Sequence, residues 1–251
     1  MIRDLAASVL GAINAPFGLF GVQLVRSRMA EAEFSRRIRA LARAGFSPSV
    51  IVDGGAFSGN WSLDVHRVFP RAQLVVIEPN PEMMTVCERK LGTHHPRPCF
   101  ERCALGPAPG RATLKLWSGS AGSAASLLEH VSGPPSRAVD VEVRTMDGIL
   151  ESLGLRPDLV KLDLQGYELP ALQGAQRALA SAEAVIVEIS CLGAYIDRSS
   201  ARSIFDFMYD HGFELHDIAD LGYRPMDGAL AGADLTFVRS TSPLRAKSGY
   251  R

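Results

Sequence analysis

The 251-residue chain is poor in the features that would tie it to a disulfide-rich, metal-binding or polyanion-binding class. It has four cysteines, Cys87, Cys99, Cys103 and Cys191, and no C-x-x-C pair among them. Cys99 and Cys103 stand four apart, but no histidine pair at metal-ligand spacing follows, so a zinc site is not expected. Buried, reduced thiols in a cytoplasmic protein are the expected reading. Neither sign of charge is in excess: 27 Lys and Arg balance 27 Asp and Glu. Net charge therefore gives no argument for nucleic acid or an acidic surface, and no nucleic-acid partner is expected. An unbroken apolar run of membrane-span length is missing too. Leu5 to Val25 carries no charge, yet Asn14, Pro16, Gln23 and the glycines at 11, 18 and 21 interrupt it. The M-I-R-D start has one basic residue and no clear small-residue cleavage site after it, which argues against a signal peptide. Residues 5–25 are expected to pack on the domain or to form a homodimer contact. Lipid contact, and with it membrane association, is the lesser reading.

What is present is an alternating chain of strands and helices organised around Ser49 to Gly59, S-V-I-V-D-G-G-A-F-S-G. A short apolar run there ends in an acid and a glycine-rich turn, and a helix start follows. Glycines let backbone approach a ligand, and the helix end offers unpaired N–H groups. Nineteen residues past Gly59, the run Leu74 to Ile77 delivers Glu78. An acid at the tip of a second strand is where Rossmann-like folds hold the two hydroxyls of a ribose.

The length suits one domain over residues 45–240, an N-terminal helical extension over 1–44 and a frayed tail over 241–251. Met29 to Arg43 carries Phe34, Ile38 and Leu41 at helical spacing and ends at Gly45. Val50 to Asp53 is the first strand, with a helix from Gly59 to Phe69 after it. Gln73 to Ile77 is the second strand, followed by a helix from Glu82 to Leu91, and Phe100 to Ala104 the third strand. Residues Gly106 to Asp140 break the rhythm with extended runs at Ala112–Trp117 and Val139–Val143 and a Gly/Ala/Ser loop from Ser118 to Ser126. The region is too long for an ordinary connection and is expected to form substrate-side or hairpin structure. Leu159 to Leu164 resumes the sheet, a helix spans Leu169 to Ala180, and Ala184 to Ile189 is the next strand. A helix from Ser200 to His211 precedes the last strands, Phe213–Ile218 and Asp234–Val238, which are expected to pair as an antiparallel hairpin. About seven mostly parallel strands with helices on both faces make an α/β, Rossmann-like sheet.

The glycine loop alone leaves its ligand open. It could be a degenerate dinucleotide loop, since Glu78 stands at about the right distance for an NAD ribose. Ala56 argues against that, because it replaces the second glycine that lets backbone approach a pyrophosphate. S-adenosylmethionine has no pyrophosphate, and Asp53 could face its cationic amino acid end.

Four segments carry a wider resemblance: G-F-S-P-S-V-I-V-D-G-G-A-F-S-G-N-W-S (45–62), V-V-I-E-P-N-P (75–81), V-R-T-M-D-G-I-L (143–150) and D-L-V-K-L-D-L-Q-G-Y-E-L-P-A-L-Q-G-A (158–175). Through them the chain resembles the FkbM family of S-adenosylmethionine-dependent methyltransferases over nearly its whole length after about residue 40. The last segment is the most specific, because K-hydrophobic-D-hydrophobic-Q-G-x-E followed by L-x-G-A is a hallmark of that family. One position departs: the family has asparagine after the loop alanine, and this chain has Phe57.

The resemblance implies a class I methyltransferase fold and a cofactor site at Asp53, Gly54, Gly55, Ala56, Gly59 and Glu78. Asn80, Cys103, Ala104 and Asp163 are expected to complete it, with adenine near Arg102 to Ala104. Asp163 is expected at a strand end beside the transferable methyl; pairing with Lys161 is its structural alternative, since alternation puts both on one face. Glu188 is a second cleft acid, and Glu168 is expected to be a helix-start acid. An aliphatic hydroxyl must lose its proton as it is methylated, or a metal must lower its pKa. Asp163, Glu188 and His216 are the candidate catalytic groups, and His130 is a further possible base. Asp163 and Glu188 could share a divalent ion such as Mg2+. The expected function is O-methylation of a hydroxyl on a natural product, sugar or glycolipid. An NAD(P)-dependent oxidoreductase and a non-catalytic cofactor-binding module are the alternatives.

Overall fold

The computed structural model describes residues 36–117, 124–131, 133–224 and 226–245. The apolar stretch 5–25, with the packing, dimer and lipid contacts expected of it, lies outside them. None of the described helices is long and apolar enough to cross a membrane.

The described part of helix α1, residues 36–43, buries Ile38 and Leu41 and ends before Gly45, whose φ of 101° is left-handed. Strand β1 (Val50–Gly54) follows, then α2 (Asn60–Val68), β2 (Gln73–Ile77), α3 (Pro81–Leu91) and β3 (Cys99–Glu101). Four strands come next: β4 (Ala104–Leu105), β5 (Gly110–Trp117), β6 (Ala124–Ser126) and β7 (Arg137–Arg144). The chain then runs through α4 (Met146–Leu153), β8 (Leu159–Leu162), α5 (Glu168–Gln173), α6 (Gln176–Ser181), β9 (Ala184–Ser190) and α7 (Ala201–Asp210). It closes with β10 (Phe213–Tyr223) and β11 (Leu230–Arg239).

The main sheet has seven strands in the order β10-β11-β9-β8-β1-β2-β3. Its pairs from β9 to β3 are parallel, and β11 pairs antiparallel with both β9 and β10. Side chains alternate between the two faces of each strand. Val52, Val75, Ile77, Val160, Leu162 and Val187 bury against α4 to α7, in a core that includes Met146, Leu172, Ile204 and Phe213. Ile51, Leu74, Val76, Leu159 and Ile186 bury on the other face, with Ile38 and Leu41 of α1, Val65 of α2 and Met84 of α3. Burying one such side chain contributes roughly 1.5–3 kcal/mol, so both faces hold the sheet. The order turns at β1, which has β8 on one side and β2 on the other. Crossovers leave β1 in opposite directions, and a crevice opens at the carboxyl ends of its strands.

Three sequence expectations change. The third strand does not run from Phe100 to Ala104: β3 stops at Glu101, and Ala104 opens β4 in a separate four-stranded sheet of order β4-β7-β5-β6. That small sheet is what the irregular 106–140 region builds. The helix expected over 169–180 is two helices, because the Asp147 carboxylate accepts from the Arg177 and Ala178 N–H groups, at 2.9 and 2.8 Å, and caps α6 independently. The ordered chain also passes residue 240: Ser242 is buried, and its hydroxyl donates to Glu183 at 2.8 Å.

Gly174, between α5 and α6, touches the small sheet's entry. A Cβ there would stand 2.1 Å from the Gly106 carbonyl oxygen and 3.3 Å from Pro107 Cα. Gly174→Ala is expected to destabilise by about 2–3 kcal/mol, read as a lower urea midpoint with an unchanged slope. An unchanged midpoint would sink this account of the contact.

Candidate active site

The loops after β1, β2 and β8 meet over the crevice. After β1 the chain turns sharply, and the Gly55 and Ala56 N–H groups donate to the Ile77 carbonyl at 3.0 and 3.1 Å. Gly55 has φ 78°, and a Cβ on it would lie 2.0 Å from the Asp163 carbonyl oxygen, so the loop packs directly on the chain leaving β8. Phe57 follows with φ 49°, a left-handed backbone that asparagine adopts more readily than an aromatic residue. The Phe57 side chain is 43% exposed, while its N–H donates to Glu78 Oε2 at 2.7 Å. The Asn80 N–H donates to Glu78 Oε1 at 2.8 Å, and the Asn80 side chain caps α3 by accepting from the Glu82 N–H at 3.0 Å. Glu78 is thus fixed by backbone at both oxygens. Burial pushes its pKa up to about 7, against the two N–H donors that favour the charged form.

Glu78 lies on the wall of a cavity of about 340 Å³. Gly55, Phe57, Cys103, Asp163 and Gln165 share that wall, and Ile77, Leu105, Leu114 and Leu127 give it an apolar side. No residue of α2 lines it, so the helix end that a dinucleotide pyrophosphate needs does not open here. The Cys103 thiol is pushed up to about 12 by burial and serves as apolar wall rather than nucleophile.

At the other end of this cavity sits a charge network. Lys161 is buried on β8, opposite Asp53 on β1 in register, with its ammonium 3.7 Å from Asp53 Oδ1 and 3.2 Å from Asp163 Oδ2. Burial works against the ammonium, but Asp163 and Asp53 outweigh it and hold Lys161 protonated. The Gln165 side chain donates from Nε2 to Asp163 Oδ1 and to Glu188 Oε2, both at 3.0 Å, and accepts from the Tyr195 hydroxyl at 3.1 Å. Burial would raise the Asp163 pKa, yet Lys161 and the hydrogen bonds from Glu188 and Gln165 bring it below the ordinary value. Glu188 moves the opposite way, lifted well above its usual range by burial and by the charge of Asp163. When the pair holds one proton, that proton therefore sits on Glu188 and the negative charge on Asp163.

The sequence-derived candidates divide accordingly. Gly55, Glu78, Cys103, Ala104 and Asp163 line one cavity. Asp53 does not: its carboxylate is buried, accepts from the Ser62 hydroxyl at 2.6 Å and faces Lys161. Gly54, Ala56 and Gly59 shape the loop without lining the cavity; a Cβ on Gly59 would meet Cys87 Sγ at 3.2 Å. Asn80 is a helix cap. His216 is exposed on the outermost strand, β10, away from Asp163, so a catalytic role for it is withdrawn. His130 packs edge-on to Tyr195, with ring centroids 5.0 Å apart. Glu168 accepts from the Leu164 and Gly166 N–H groups at 2.9 and 3.0 Å and holds the turn before α5. Among the described residues no group of three or more His, Cys, Asp and Glu could hold a metal ion. The Gln165 amide nitrogen donates to one oxygen of Asp163 and one of Glu188, so an N–H donor stands between the two acids where Mg2+ would need oxygen ligands. Gln165, Tyr195 and Asp234 were not singled out from sequence. Gln165 sat in the K-x-D-x-Q-G-x-E segment, whereas nothing in the local pattern marked the other two.

The architecture is that of the class I S-adenosylmethionine-dependent methyltransferases. It matches magnesium protoporphyrin IX methyltransferase from Synechocystis PCC 6803, solved with bound S-adenosylmethionine, at a TM-score of 0.52 and 15% identity, over 87% of this chain and 85% of that one. The Methyltransferase FkbM domain matches residues 53–215, and the chain belongs to that family. It is 27% identical over 176 residues to the 2-O-methyltransferase NoeI of Sinorhizobium fredii, covering 63% of this chain and 70% of the relative. It is 26% identical over 204 residues to the AMB antimetabolite synthetase AmbE of Pseudomonas aeruginosa, covering 66% of this chain but only 10% of that protein. The chain is an S-adenosylmethionine-dependent methyltransferase, and the oxidoreductase and non-catalytic alternatives fall away.

Because folding raises the Glu78 pKa from 4.5 to about 7, the folded protein holds that proton more tightly than the unfolded chain. The linked stability is full below pH 4.5 and is lost as pH rises through 7. Glu78→Gln removes the titration, so the stability of the wild type relative to this variant should fall by on the order of 2–3 kcal/mol from pH 4.5 to 8. Parallel unfolding curves across that range would refute the burial argument.

Proposed function

We propose that the protein is an O-methyltransferase whose acceptor hydroxyl belongs to a sugar, a glycolipid or another natural product. The observation that carries this reading is the Asp163–Glu188 pair, bridged by Gln165 beside the cofactor-sized cavity. The 2-O-methyltransferase name of the 27% identical relative supports it. S-adenosylmethionine, when bound, supplies a methyl group on a sulfonium centre. Glu78 would accept from the two ribose hydroxyls, and the apolar side formed by Ile77, Leu105, Leu114 and Leu127 would take the adenine. Gly55 keeps the loop close, because no side chain stands between it and the residue 163 backbone.

An aliphatic hydroxyl is too weak an acid to ionise first, so its proton leaves as the new bond forms. Asp163 is the ionised member of the pair and would receive that proton. Glu188 already holds one and would instead donate its hydrogen bond to Asp163. Lys161 keeps Asp163 charged inside the protein until the transfer. The rest of the acceleration comes from alignment of acceptor and methyl in a cleft that excludes water.

Incubation with 13C-methyl S-adenosylmethionine and a panel of hydroxylated acceptors should give a product whose methyl carbon resonates as a methoxy group. Transfer to nitrogen or carbon would overturn the reading. Asp163→Asn should lower kcat by about 10²- to 10⁴-fold, with cofactor affinity changed less than about tenfold. Unchanged turnover would remove Asp163 from the mechanism. Cofactor affinity should rise with pH between 6 and 8 in the wild type, as Glu78 ionises, and stay flat in Glu78→Gln; calorimetry at each pH decides it.

A further inference from the structure

A second cavity, of about 260 Å³, lies against the first, and Gln165 belongs to the walls of both. Its other walls come from β9, β10, β11 and the segment carrying Ala194 and Tyr195. Three carboxyl groups face it: Glu188, Asp220 and Asp234. The strand register lines them up. Asp234 on β11 pairs with Glu188 on β9 and with Asp220 on β10, so three acids stand side by side across three adjacent strands. Glu188 holds the proton of its pair with Asp163, which leaves Asp234 and Asp220 as like charges directly opposite each other; such a pair weakens a sheet, and nothing in folding asks for it.

Among the described residues the row has no cation of its own in the cavity. No lysine, arginine or histidine is among the lining residues. The buried Lys161 is bound by Asp163 and Asp53, and its charge reaches Asp234 without an ion pair to it; the Arg198 guanidinium donates to the Ser190 and Cys191 carbonyl oxygens. The Asp234 carboxylate makes no hydrogen bond to another described residue, although it is partly buried. Neighbouring strands lie about 4.8 Å apart, so the row spans roughly 10 Å. Among the described residues no three His, Cys, Asp or Glu side chains converge on a metal position, and the elongated row suits an extended organic molecule. Tyr195 adds an aromatic wall, which together with carboxylates is a setting that favours an organic ammonium.

We propose that this second cavity is the acceptor subsite and that it selects an alcohol bearing a protonated amine, an amino sugar or amino alcohol, seated with its ammonium against the Asp220–Asp234–Glu188 row. The inference rests on the O-methyl-transfer reading above and narrows its acceptor. The hydroxyl of such a molecule reaches toward Asp163 past the Gln165 amide, which separates the two cavities. In the reaction an O–C bond forms, the S–C bond of the donor breaks with its electron pair going to sulfur, and the hydroxyl proton goes to Asp163. The amine takes no part and keeps its charge.

The test compares matched pairs on protein saturated with S-adenosylhomocysteine at neutral pH: ethanolamine with ethylene glycol, serinol with glycerol, and D-glucosamine with D-glucose. Saturation-transfer NMR followed by titration reads the affinities. In at least one pair the amine should bind tighter than its neutral partner by about tenfold, as one charge-assisted contact gives. Asp234→Asn and Asp220→Asn should each reduce that preference to about twofold or less while leaving S-adenosylhomocysteine affinity unchanged. Absence of binding by every amine, equal binding by the neutral partners, or a preference that survives both substitutions overturns the inference. The 13C-methyl assay separates this from the parent reading. Methoxy products with no amine preference discard the subsite alone, C-methylated products with the preference intact discard O-transfer alone, and N-methylated products discard both, because the amine would then stand at the methyl group.

Discussion

The buried Lys161 ammonium is the constraint on which the rest of the site depends. It lies between Asp53, its in-register neighbour on β1, and Asp163, at the end of its own strand. An unpaired charge at that depth would cost several kcal/mol, and each acid alone would be driven toward its neutral form. Together they keep one carboxylate ionised at the carboxyl edge of the sheet, where Asp163 meets both the cofactor-sized cavity and the Gln165 bridge. Asp53, read first as a ligand contact, is instead part of the support: with Ser62 it fixes the ammonium from below.

That support reaches outward in a definite order. Lys161 sets the charge of Asp163, the charge of Asp163 drives the proton onto Glu188, and Gln165 ties the pair to Tyr195. Gln165 holds a left-handed backbone, φ 53°, to do so. A strained residue that clamps two acids at the boundary of two cavities is consistent with a place where geometry has been kept at some cost in stability. On the β2 side, Glu78 is fixed by two backbone N–H groups rather than by side chains. Phe57 in place of the family's asparagine is therefore compatible with the loop: the contact to Glu78 comes from the main chain, and any residue able to bear φ 49° can supply it.

Some of this was legible in the chain. Alternating apolar runs and helical patterns were enough for a mostly parallel sheet ending in a hairpin, because side-chain periodicity reports which faces are buried. Local motifs marked the glycine turn, Glu78 and the Asp163–Glu168 segment. The break between β3 and β4, and the split of α5 from α6, were not legible. The first is a change of sheet, and the second is a cap delivered by Asp147 from another helix. Both are long-range contacts with no local signature.

The sequence by itself determined the class of fold, the family and the nature of the methyl donor, because strand–turn–helix chemistry and the K-x-D-x-Q-G-x-E segment are local patterns. Only the tertiary structure decided which acids act together. Asp53 and Asp163 became partners through a shared lysine, and Glu188 became the proton holder. Asp220 and Asp234 joined Glu188 in one row across β10, β11 and β9. Strand order and register bring these residues together from distant parts of the chain, and the charge of each depends on neighbours that no short window of sequence contains.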